Sequence, residues 1–76
     1  MNRSISEIAK DIKRNWAKPY FGAVPYLEAM LCLNGPDDSY GMDSARSICN
    51  YFLCNASTFR GPIAKTLKNE LKEAIK

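Results

Sequence analysis

Four lysines near the C-terminus, Lys65, Lys68, Lys72 and Lys76, recur at intervals of three and four residues and therefore share one face of a helix. A row of ammonium groups attracts anions, either the phosphates of a nucleic acid or the carboxylates of another protein. The plainer account is that solvated helix faces are normally charged, and that lysines near a helix C-terminus complement its dipole. Lys68, Lys72 and Lys76, four residues apart, nevertheless repel one another by roughly a few tenths of a kcal/mol per pair, which argues for use. Residues 1–18 are similarly basic: Arg3, Lys10, Lys13, Arg14 and Lys18 face only Glu7 and Asp11. The middle is the reverse, with Glu28, Asp37, Asp38 and Asp43 against Arg46 alone. The net charge of +3 thus conceals two basic ends and an acidic centre.

Other chemistries lack their residues. Histidine is absent, which removes the commonest acid–base catalyst. No glycine-rich phosphate loop or nucleophile elbow occurs, and Cys54 has no identifiable activating base. Asp37-Asp38-Ser39-Tyr40-Gly41 lacks the alternating ligands and closing glutamate of a calcium loop. Cys32, Cys49 and Cys54 form no paired metal spacing and read as buried, reduced thiols. A non-enzyme without cofactor or metal is expected.

The 76 residues suffice for one domain, assigned to 1–76. The N-terminus has no continuous apolar run, and no stretch is long enough to span a bilayer, so the chain reads as cytosolic with no membrane partner. Four segments show helical periodicity. In the first, Ser4 and Glu7 have capping-box spacing, Ile5, Ile8, Ile12 and Trp16 form a stripe, and Lys18-Pro19 ends the run. Pro25 suits the first turn of a second helix, Tyr26 to Leu33, stopped by Asn34-Gly35-Pro36. Asp43 is the expected N-cap of a third, reaching about Ala56. Ser57 or Thr58 caps the fourth, with Ile63, Leu67, Leu71 and Ala74-Ile75 as its stripe. No strand is required. The second and third helices are apolar on most sides, so they are expected at the centre, flanked by the amphipathic basic first and fourth: an all-α, four-helix single domain.

Trp16, Tyr20, Phe21 and Tyr26 crowd the first linker. Rings in such a place either plug the corner between two helices or stand exposed as an interface anchor. Tyr40, in a polar loop beside Gly41, is expected to be exposed.

Several segments carry a resemblance. Tyr20-Phe21-Gly22-Ala23-Val24-Pro25-Tyr26-Leu27, Tyr40-Gly41 with Asp43-Ser44-Ala45-Arg46-Ser47-Ile48, and Tyr51-Phe52-Leu53 are three of them. Asn55-Ala56-Ser57-Thr58-Phe59-Arg60-Gly61 and Lys68-Asn69-Glu70-Leu71-Lys72 complete the set. Together they resemble a group of short uncharacterised proteins encoded on plasmids, integrative elements and phages of Gram-positive bacteria. Phe59 stands where the group is expected to have tryptophan, and Pro62 replaces a helix former. The resemblance implies a mobile-element setting and no activity.

The expectation is a non-catalytic protein that binds a macromolecule, a protein in preference to a nucleic acid. Inhibition of a host defence protein, in the manner of an anti-CRISPR, is one concrete version. The alternative is an accessory nucleic-acid-binding protein using the basic outer helices. The candidate contact residues are Lys10, Arg14, Tyr20, Tyr40, Lys65, Lys68 and Lys72. Since one chain owns little core, a homodimer sharing its inner helices is a third arrangement.

Overall fold

The computed structural model describes residues 3–76, so residues 1 and 2 of the expected 1–76 domain lie outside it. The described residues form four helices and one short hairpin: α1 (Ile5–Asn15), α2 (Val24–Met30), β1 (Ser39–Tyr40), β2 (Asp43–Ser44), α3 (Ala45–Cys54) and α4 (Pro62–Ala74).

The capping box opens α1 as its spacing predicts. The Ser4 hydroxyl accepts from the Glu7 amide at 3.2 Å, and the Glu7 carboxylate accepts from the Ser4 amide at 3.3 Å. Two further first-turn donors, the amides of Ile5 and Ser6, are taken by the carbonyls of Asn34 and Leu33 at 3.0 and 2.8 Å. The chain leaving α2 therefore seats the start of α1. The helix stops three residues before Lys18, where Asn15 donates to the Asp11 carbonyl at 2.8 Å and Trp16 turns into an extended conformation. That turn drops the indole onto Phe59, stacked at 5.0 Å, and edge-on to Phe52 at 6.1 Å.

Pro25 sits in the first turn of α2, as expected, but the helix begins at Val24 and ends at Met30. Tighter turns continue the chain, with Cys32 donating to Ala29 and Leu33 to Met30. The expectation of no strand is corrected by the hairpin, in which Ser39 pairs with Ser44 and Tyr40 with Asp43. Gly41, at φ +63°, is the first central residue of its two-residue turn, the position where a type II′ hairpin favours glycine. Two-residue strands are too short to show an alternating pattern. The helix starts at Ala45, so Ser44 rather than the expected Asp43 occupies the cap position of α3, accepting from the Ser47 amide at 3.1 Å. Neither Ser57 nor Thr58 caps α4; its N-cap is Gly61 at φ +110°, a conformation open to glycine, with Pro62 following.

The helices pack in a ring rather than as two enclosed by two. α1 packs against both α4 and α2, α2 against α3, and α3 meets α4 along a shorter contact. Each helix gives the core one face: Ile5, Ile8 and Ile12; Leu27 and Met30; Ile48 and Phe52; Leu67 and Leu71. On α3 the outward residues Asn50, Tyr51 and Cys54 are exposed, so its apolar character all round did not mean burial all round. Two of the three cysteines, Cys32 and Cys54, are exposed, correcting the expected buried set; Cys49 is buried. On α4, Ala64 is buried while Ile63 faces outward. No helix among the described residues is long and apolar enough to cross a membrane.

Candidate functional site

The start of α4 concentrates positive charge. Gly61 and Pro62 set the helix direction immediately after Arg60, and one helical turn apart come Lys65, Lys68 and Lys72. Phe59, Arg60, Lys65, Lys68, Asn69 and Lys72, with Gly61, line an open depression of about 310 Å³. Lys68 and Lys72 also line a second, of about 630 Å³, together with Asn50, Leu53 and Cys54 of α3. Lys68 and Lys72 are common to the two depressions, and the pair is termed the α3–α4 groove.

Lys68 is the groove's central cation. It is half-buried, with Nζ 5.7 Å from the centre of the Phe59 ring, within the range of a cation–π contact. Phe59 is itself buried and stacked on Trp16, so the core fixes the floor beneath the ammonium. Desolvation, followed by the charges of Lys72 and Arg60, pulls the Lys68 pKa below the ordinary 10.5. No carboxylate lines either depression. Among the described residues, Arg60, Lys65, Lys68 and Lys72 form no ion pair.

The other side of α4 is arranged differently. Glu70 turns toward α1, where both its oxygens accept from the Arg3 guanidinium at 2.7 Å, and Arg3 also donates to Asp11 at 2.5 Å. Arg3, counted by sequence among the basic residues of the first segment, is a half-buried bracket between α1 and α4. Hydrogen bonding from Arg3 holds the Glu70 and Asp11 carboxyls below their ordinary values, and the two carboxylates raise Arg3 in turn. A third depression, of about 450 Å³, lies beside this bracket, where Lys76 pairs with Glu73 at 3.2 Å.

Of the seven residues expected to bind a partner, the structure brings Lys65, Lys68 and Lys72 together. Lys10 is exposed on α1 and Arg14 pairs with Asp11 at 3.3 Å; neither lines the groove. Tyr20 lies against Phe21 at 4.8 Å on the exposed linker, and Tyr40 is half-exposed in the hairpin. The linker rings divide: Trp16 fills the corner, whereas Phe21 remains 79% exposed. Sequence reasoning missed Arg60 and Phe59 as groove residues. Proximity of Arg60 to the Gly61-Pro62 helix start could have found the first; nothing local signals the second.

The acidic centre contributes one backbone hydrogen bond and exposed ion pairs. Asp38 accepts from the Asn34 amide at 2.7 Å and Asp37 lies 3.8 Å from Arg46. Among the described residues, no group of three or more metal-ligating side chains could hold an ion. Desolvation pushes the Cys49 thiol up to about 12, which keeps it protonated and inert. What the arrangement offers chemically is attraction and retention of anions on a fixed, partly desolvated cationic surface. Comparison of the chain with protein-family models, curated proteins and solved structures finds no match to any of them.

Proposed function

We propose that this is a non-catalytic binding protein whose α3–α4 groove holds an anionic surface of a macromolecular partner. One observation carries this reading: Arg60, Lys65, Lys68 and Lys72 converge on a groove with no carboxylate in its lining. Crowding like charges there disfavours the free protein, and an anion relieves the repulsion. In the mobile-element setting implied by the resemblance, such a protein acts by covering a surface. Inhibition of a host defence nuclease is one concrete form, because occlusion needs complementary charge and shape but no catalytic group. An accessory role on nucleic acid is the second reading, favoured by the same lysines.

The test is affinity capture from host lysate, with and without nuclease treatment, using wild type and the Lys68→Glu/Lys72→Glu double variant. A stoichiometric partner retained by wild type and lost by the double variant is expected. Equal capture by both proteins would remove the groove from the function.

A further inference from the structure

We infer that the outward face shared by the α2 linker, α3 and α4 binds single-stranded nucleic acid, with bases stacked on Tyr51, Tyr20 and Phe21 and phosphates on Lys68 and Lys72. This deepens the groove reading and rests on it. α3 joins the two halves of that face. Its Asn50 and Cys54 border the groove with Lys68 and Lys72. Tyr51, about 100° further round the helix, leans on Tyr26 of α2 at 5.4 Å and is half-exposed.

The linker rings continue the patch. A Cβ on Gly22 would meet the Tyr20 ring at 2.6 Å and the Asn55 side chain at 3.1 Å, so glycine allows that ring to close down beside the end of α3. Asn55 in turn donates to the Tyr51 carbonyl at 2.8 Å, which places Tyr20 next to the Tyr51 turn. Exposed rings on the α2 side of α3 and unpaired cations on its α4 side match the two needs of an unpaired strand laid across α3, stacking for bases and neutralisation for phosphates. A duplex keeps its bases stacked within itself and leaves the rings idle. An acidic protein uses the lysines and has no equivalent demand for three part-exposed rings.

The test is fluorescence anisotropy at low salt with labelled oligothymidylate, a duplex of equal length, and labelled polyglutamate as competing probes. Single strands are expected to bind at least several-fold tighter than duplex. Lys68→Glu/Lys72→Glu should weaken binding more than tenfold and flatten its salt dependence. Tyr51→Ala and Phe21→Ala should each weaken it about fivefold to tenfold with the salt slope unchanged, since stacking releases no counterions. Lys68→Glu alone and Lys10→Glu, equal single charge reversals inside and outside the groove, provide the comparison, and circular dichroism confirms that each variant is folded. Equal binding of duplex and single strand, with both ring variants unaffected, overturns the inference and leaves the cationic groove standing. Tight binding of polyglutamate alone also overturns it, in favour of an acidic protein. Failure of all three polyanions to bind overturns the inference and the groove reading together.

Discussion

The two sides of α4 use charge in opposite ways. Toward α1, Glu70 is matched by Arg3, whose guanidinium also holds Asp11, so the seam is a closed set of ion pairs. Toward α3, Lys65, Lys68 and Lys72 have no such match. The helix is the same and its charges alternate along one sequence, yet one side ties the fold and the other is left available. Charge spent on a pair stabilises modestly; charge kept apart costs a little stability and retains its attraction for something else.

Phe59 is the strongest place to break this contrast, because it belongs to the core and to the groove floor. Phe59→Ala should lower unfolding free energy by about 3 kcal/mol, measured by urea denaturation, through loss of its stack on Trp16. Anion binding should weaken in the same variant as Lys68 loses its support. Charge reversal in the groove should separate the two effects. Lys68→Glu/Lys72→Glu should leave stability within about 0.5 kcal/mol of wild type, while affinity for the partner falls more than tenfold.

The seam should behave in the opposite sense. Glu70→Gln should cost about 1 kcal/mol of stability and leave binding untouched. Its pH dependence has a definite sign. Arg3 depresses the Glu70 and Asp11 carboxyls in the folded state, so their stabilisation is complete above ordinary carboxylate values and disappears as pH falls through the lowered ones. The stability gap between wild type and Glu70→Gln should therefore narrow on acidification, and a gap that is constant with pH would remove the bracket. The smallest effect concerns the thiols. In the folded protein a thiol reagent should modify Cys32 and Cys54 and spare Cys49, as read by mass spectrometry. Ligand in the groove should slow modification of Cys54, with Cys32 unchanged.

Local signals in the sequence were legible in proportion to how local their causes are. The Ser4–Glu7 box, Pro25 in the first turn of α2 and Lys65, Lys68 and Lys72 of the lysine row depend on neighbours within a turn, and each is where its spacing places it. Lys76 leaves the row because α4 ends at Ala74, and it pairs with Glu73 on the Arg3 side. The hairpin escaped because only Gly41 marks it and its strands are two residues long. The Arg3–Glu70 pair joins residues 67 apart in sequence, so no periodicity could reveal it. Enclosure of α2 and α3 was over-read from composition: Tyr51 and Cys54 look like core residues, yet ring packing leaves one side of α3 uncovered. For the same reason Lys65, Lys68 and Lys72 were legible as a set, whereas their convergence with Arg60 over Phe59 was not.

Amide chemical-shift mapping compares the two sides of α4 most directly, using oligothymidylate and then polyglutamate as titrants. At least one of them should move the amides of Gly61, Lys65, Lys68, Asn69 and Lys72, with Asn50 and Cys54 across the groove, and leave Ser4, Asp11 and Glu70 in place. Shifts centred on the Arg3 bracket, or a groove that responds to neither polyanion, would contradict the division of labour along this helix.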